Sequence, residues 1–289
     1  MYEEKELTAM FEAHRDHLRA VAYRMLGSLS EADDAVQETW LRLERTDVRD
    51  VANMGGWLTT VVGRVCLNLL RSRRTRGEEP LEPSMPDPVV TAPEGVDPEH
   101  EALLSDSVGL ALLVVLQTLE PAERLAFVLH DMFAVPFDEI APIVDRTPAA
   151  TRQLASRARR RVRDAAVTPD PDLARQREVV DAFMAASRAG DFDALVAVLD
   201  PDVVLRADAG GAPRTWLEVR GALEVAGRAF MFRRFAAYVR PVLVNGVAGV
   251  VTAPEGRPLS VMAFTVAGGR VVALDILSDE DRLAALLGA

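Results

Sequence analysis

The sequence predicts a multidomain chain, with two all-α domains followed by one α+β domain. Three observations predict it. Apolar residues recur at three- and four-residue spacing as far as residue 166. An acidic, proline-rich stretch interrupts that pattern once. After about Leu173 the texture changes to short β-branched runs joined by Asn-Gly and Gly-Gly turns. At 289 residues the chain is long enough to bury two or three separate cores.

The elements follow in order. Met10, His14, His17, Leu18, Val21, Ala22 and Met25 keep the spacing of one amphipathic helix. In GSLSEADDAVQETWLRLE, Ser30 is expected to cap a second helix, with Asp33 three residues on as its partner. Ala32, Ala35, Val36, Thr39, Trp40 and Leu43 form its apolar stripe and leave Asp33, Asp34, Gln37, Glu38 and Leu41 facing outward. A third helix begins near Met54 and runs through WLTTVVGRVCLNLLRSRRTR. These make a first domain, 1–76, and 77–97 is read as a linker. Gly77–Asp106 has nine acids, no arginine or lysine, and five prolines before Asp97, so little of it is expected to pack.

Helices resume in a second domain, 98–166, and end in RTPAATRQLASRARRRVRDA. The short turn Val144-Asp145-Arg146 between its last two helices has the form of a helix-turn-helix. Thr147 suits the cap and Pro148 the first helical position, while Leu154, Ala155, Ala158 and Val162 form the buried stripe. Seven arginines lie between Arg146 and Arg163 with no acid among them, although the chain's formal charge is −11. Arginines along a helix whose early residues are small and hydrogen-bonding suit phosphates and base edges of duplex DNA. A second cluster, RSRRTR (Arg71–Arg76), stands on a different helix. After a short linker, 167–173, residues 174–289 read as one or two helices and then a curled antiparallel sheet.

Composition excludes several classes. One cysteine, Cys66, permits no internal disulfide and sits in the apolar run VVGRVCLNLL, which predicts a buried thiol in a reducing compartment. The N-terminal MYEEKELTAMFEAH lacks the apolar core of a signal peptide, and the longest nearly apolar stretch, VGLALLVVLQTL, is too short to cross a bilayer. A cytoplasmic protein without membrane contact is expected. No histidine follows Gly190, and no histidine has metal-ligand spacing, so no metal, cofactor or catalytic residue is assigned. Asp275, Asp208 and Tyr238 are the only residues of the last domain named as candidates for enzymatic chemistry.

Three separated motifs now carry a resemblance. DDAVQETWLRL resembles the core-polymerase-binding helix of bacterial sigma factors. WLTTVVGRVCLNLLRSRR is similar to the helix that melts and reads the −10 promoter element, and ERLAFVLHDMFAVPFDEIAPIVDRTPAATRQLASRARRRV to the −35-reading domain. Occurring in this order, they are identified as those of an extracytoplasmic-function (group IV) sigma factor. The remainder resembles the SnoaL-like, NTF2-like cone of one curved sheet and a few helices. The resemblance implies that Asp33, Asp34, Gln37, Glu38 and Leu41 dock on the β′ clamp of RNA polymerase, an acidic ridge around one apolar contact. It implies that Asn68, Arg71, Arg73 and Arg74 meet the −10 element, and that Arg146, Thr147, Arg152, Gln153, Ser156, Arg157 and Arg160 meet the −35 duplex. The β flap of the polymerase is the further partner implied, and the free chain is expected to be a monomer.

Relatives with this extension often carry WLPEP-, DGGGK- and NPDKL-like motifs. Here the corresponding segments read PLEPSMPDPVV, DAGGAP and SDEDRL. Asp208, Gly210 and Gly211 of the second are taken as a regulatory loop through which the C-terminal domain acts in cis, and the departures bear on how tightly linker and domain hold each other. A ligand within the cone is left open. The alternative from another class is a helix-turn-helix regulator whose cone senses a small molecule. It accounts for Arg146–Arg163 but not for DDAVQETWLRL joined to NLLRSRRTR.

Overall fold

The computed structural model describes residues 4–49, 51–76, 84–93, 109–165, 168–211 and 215–288. The chain divides into two compact units, Met1–Leu81 with Val115–Ala165, and Glu82–Val114 with Ala166–Ala289.

The first unit is helical: α1 (Glu4–Glu12), α2 (Arg15–Leu26), α3 (Leu29–Glu44), α4 (Met54–Arg76), the second half of α5 (Leu110–Gln117), α6 (Pro121–Phe127), α7 (Phe137–Val144) and α8 (Pro148–Ala165). The single first helix expected from the sequence is two, broken at Ala13–His14. Ser30 does not cap α3: Ser28 holds the cap position, without a side-chain cap bond, and Ser30 lies one residue inside the helix. The apolar stripes pack as their spacing requires, with Leu18, Val21 and Met25 of α2, Ala35 and Leu43 of α3, and Leu58, Val62 and Cys66 of α4 all buried. Burial pushes the Cys66 thiol up to about 12, so it is inert at neutral pH. Buried Arg124 of α6 donates to the carbonyls of Met25 (2.8 Å) and Gln117 (2.7 Å), satisfying a free oxygen at the end of α2. A π-helical turn, Val128–Met132, follows α6, and Asp145 takes a left-handed conformation (φ 55°) between α7 and α8.

The second unit holds α9 (Leu173–Ala189), α10 (Phe192–Val198), β2 (Leu199–Asp208), β3 (Trp216–Arg220), α11 (Ala222–Met231), a 3-10 turn (Arg233–Tyr238), β4 (Val239–Val244), β5 (Val247–Thr252), β6 (Ser260–Ala267), β7 (Arg270–Leu277) and α12 (Glu280–Leu287). With β1 (Val90–Thr91) the described strands form one sheet in the order β1-β4-β5-β6-β7-β2-β3. The sheet is not wholly antiparallel as expected, because β2 and β7 run parallel. Asn245-Gly246 and Gly268-Gly269 make the tight hairpin turns, all four at positive φ. One face of the sheet, with Leu205, Leu274 and Phe264, closes on Phe183, Leu195 and Val225 of the helices, which fill the cone.

The expectation that little of the acidic linker packs fails for residues 84–93. Met85 and Val89 are buried, and Val90 and Thr91 pair with Val244 and Leu243. The Val89 amide donates to Asn245 Oδ1 (3.1 Å), and the Asn245 amide donates back to the Val89 carbonyl (2.8 Å). Composition misled because prolines, lacking a donor, are tolerated on a sheet edge, and Pro86 and Pro88 flank this one.

Candidate nucleic-acid interface

In α8 the Thr147 hydroxyl accepts from the Ala150 amide (3.2 Å), as a cap should. Thr151, Ala155 and Ala158 face the core, so Arg152, Gln153, Ser156, Arg157 and Arg160 are exposed together, with Arg146 at the turn. The arginines do not share one duty. Glu123, only 4% exposed, accepts from Arg157 (2.7 Å) and Arg161 (3.0 Å), and Asp131 accepts from Arg159 (2.5 Å). These three pairs seat the helix on α6 and the π turn. Arg152 instead lies over the Phe137 ring at 5.3 Å. Sequence reasoning grouped Arg157 with the DNA-facing side chains; the structure gives it a carboxylate partner while leaving its side chain 57% exposed.

In α4, Trp57, Val61, Arg64, Asn68 and Arg71 recur at four- and three-residue steps and so share one face. Asn68 and Arg71 are exposed on it, as is Arg64. Arg73 and Arg74 are held by Glu31 and Glu120. Beside Arg64 opens a cavity of about 490 Å³, lined by Trp57, Thr60, Val61 and Arg64 of α4 and by Arg42, Arg45 and Thr46 at the end of α3. Three guanidinium groups, two hydroxyls and an indole line it without an acid. The sequence reading missed Arg42, Arg45 and Arg64. The signal for Arg64 was there, one heptad before Arg71 on the same face.

On α3 the acidic ridge is as expected in outline. Asp33, Asp34, Gln37 and Leu41 (41%) are exposed, and Glu38 is half-buried. Asp33 accepts from Arg19 (2.7 Å) and Glu38 from Arg42 (2.8 Å), so Asp34, Gln37 and Leu41 are the exposed members outside these ion pairs. A second cleft, of about 440 Å³, runs beside Gln37 and Leu41 and is floored by Phe11 packed edge-on to Trp40 at 5.1 Å.

In the second unit, Asp208, expected in a regulatory loop, is the last residue of a strand. It is fully buried at the end of β2. Its carboxylate accepts from the amides of Met85 (2.9 Å) and Gly210 (3.0 Å) and from Arg282 (3.1 Å). Arg282 reaches on to Asp87 (2.6 Å) and the Met85 carbonyl (2.6 Å), so one aspartate and one arginine clamp the linker to the domain. Gly210 (φ 66°) meets Asp279 so closely that a Cβ there would lie 2.1 Å from its Oδ2, and Gly211 follows at φ 91°. Asp275 pairs with Arg206 (2.9 Å), but Leu274 and Ile276 beside it face the cone, so its carboxyl points to the opposite side of the sheet. Tyr238 is exposed. Neither residue lies inside the cone, where an isomerase-like base would have to stand.

Residues 10–76 match the family model of Sigma-70 region 2, and residues 109–162 that of Sigma-70, region 4. The chain is 41% identical over 287 residues to the ECF RNA polymerase sigma factor SigJ of Mycobacterium tuberculosis, covering 94% of this chain and 91% of the relative. It is 35% identical over 294 residues to the probable ECF RNA polymerase sigma factor SigI of the same species, covering 100% and 99%. The crystal structure of M. tuberculosis SigJ matches with a TM-score of 0.78 at 38% identity, over 96% of this chain and 98% of that chain.

Proposed function

The chain belongs to the extracytoplasmic-function sigma factors of RNA polymerase, and we propose that it meets polymerase and promoter through the surfaces built above. It partners core RNA polymerase and directs promoter-specific transcription initiation. This sets aside the reading as a free-standing regulator. The α3 ridge around Leu41 docks the β′ clamp, and the second helical domain meets the β flap. Arg146, Thr147, Arg152, Gln153, Ser156 and Arg160 approach the −35 duplex, with Arg152 at base edges and the others positioning the backbone. Arg157 adds charge from its place on Glu123.

The observation that carries the −10 assignment is the cavity beside the Arg64–Asn68–Arg71 face. A base leaving the duplex needs a flat apolar floor, a hydrogen-bonding edge and cationic support for its phosphates. Trp57 supplies the first, Thr46 and Thr60 the second, and Arg45 and Arg64 the third. Arg73 and Arg74, engaged with carboxylates, stand further along the strand. Permanganate probing of a promoter with holoenzyme carrying Arg64→Ala tests this. Strand opening should fall roughly tenfold, with co-purification of core polymerase unchanged. Unaltered opening would remove the cavity from the assignment.

Regulation acts in cis. The C-terminal unit grips the linker through Asp208, Arg282 and Asp87, and so governs the tether between the −10 and −35 readers. A signal changes activity only by favouring the gripped or the released state. On this reading the free chain is a cytoplasmic monomer that acts by binding, not by turnover. If removing Leu173–Ala289 left transcription unchanged, regulation in cis would be excluded.

A further inference from the structure

We propose that the surface formed by α11 and the 3-10 turn after it is a binding site for single-stranded DNA, a site separate from the two promoter readers. The inference rests on the reading that the chain works where promoter DNA is opened. Between Val225 and Pro254 the chain carries Arg228, Arg233, Arg234 and Arg240 and no acid, in a protein of formal charge −11. All four arginines are exposed. Among them the chain exposes side chains that a solvated surface avoids, with Met231 at 65% and Phe232 at 60%. The guanidinium groups lie over rings: Arg233 is 4.3 Å from the centre of Phe230, and Arg234 is 4.6 Å from that of Phe235. Phe232 faces Phe235 at 6.5 Å with 29° between the ring planes.

The chemistry selects the partner. An exposed ring, Phe232, set among cations suits a sequence-tolerant single strand, since a base stacks on the ring and phosphates meet guanidinium groups. A lipid surface would take the apolar tips into the acyl boundary. Here Arg233 and Arg234 lie across the neighbouring rings and would have to follow them out of water. The surrounding acids leave the surface cationic. Asp191 is occupied in capping α10 through the Ala194 amide (2.9 Å), Glu224 stands at the far end of α11, and Glu255 on the neighbouring turn is offset by Arg257.

The test uses the full chain and a fluorescein-labelled single strand of about 15 nucleotides, read by anisotropy, with the matching duplex read in parallel. Arg233→Glu with Arg234→Glu should weaken single-strand binding by roughly tenfold or more, and Phe232→Ala by roughly fivefold, while Phe232→Tyr retains it. Duplex binding should not change, because α8 carries it. Photocrosslinking of a bromodeoxyuridine-substituted strand should label peptides within 228–240. Unchanged single-strand affinity in all variants, or crosslinks only to α4, would overturn the site. So would binding of the wild type, lost in the same variants, to anionic phosphatidylserine vesicles or to core polymerase but not to the strand. Loss of promoter opening in the Arg64→Ala holoenzyme is scored separately, so failure here leaves the −10 assignment standing.

Discussion

Asp208 shows how much one buried side chain can organise. Fully enclosed, its carboxylate accepts from two amides and from Arg282, so both oxygens find partners without water. Asp208→Asn keeps the shape but leaves Arg282 facing a neutral group. A cost of about 3 kcal/mol is expected, together with new proteolytic cleavage near Met85. Equal protease resistance in wild type and variant would mean that Asp87 alone holds Arg282. Asp275 behaves differently. Burial raises its carboxyl above the usual range; Arg206 opposes that shift and the charge of Glu218 adds to it. Its Oδ2 has no hydrogen-bond partner among the described residues. A raised acid is stabilising in its protonated form, so its contribution is lost as pH climbs through the folded value and is complete below the ordinary 3.8. Denaturation of wild type and Asp275→Asn should therefore diverge in the wild type's favour as pH falls from 7 toward 4. A constant gap would show that the carboxyl does not titrate in that window.

At the scale of elements, the arginines of α8 divide between seating the helix and facing solvent. Arg157, Arg159 and Arg161 are spent on Glu123 and Asp131, whereas Arg152 and Arg160 are left toward solvent. Arg157→Ala should then lower thermal stability by about 1 kcal/mol and change promoter preference little, because its partner is buried but it is half exposed itself. Arg152→Ala should weaken −35 binding by roughly tenfold and relax base preference, and Arg163→Ala should mainly flatten the salt dependence. Equal losses on scrambled promoters for Arg152→Ala and Arg163→Ala would deny Arg152 a base contact. Helix faces were legible in the sequence because burial repeats with the helical period, as in Ala32, Ala35, Val36 and Leu43. What periodicity does not encode is a partner far along the chain. Neither Glu123 beneath Arg157 nor Asp208 beneath Met85 leaves a local trace. β3 escaped notice for a related reason: an edge strand of five residues, none of them buried, shows no apolar alternation.

For the whole molecule, the charge of −11 is concentrated outside the two arginine-rich helices. Gly77–Asp106 carries nine acids and no arginine or lysine, while α8 carries six arginines and one aspartate. A polyanion tethered between two cationic helices is expected to compete with DNA for them, since a tether raises its effective concentration. The competition is electrostatic and must fade as salt screens it. Replacing Glu78, Glu79, Glu82, Glu94, Glu99 and Glu101 with Gln leaves Asp87 and its clamp on Arg282 intact while removing most of this charge. Affinity of the free protein for non-specific duplex should rise by roughly tenfold near 50 mM salt, and the gain should vanish by about 0.5 M. A gain that persisted at high salt would point to altered linker packing in place of charge competition. No gain at low salt would mean that the acidic segment stays clear of both readers, and the chain's acidity would then serve only its solubility and its approach to the polymerase.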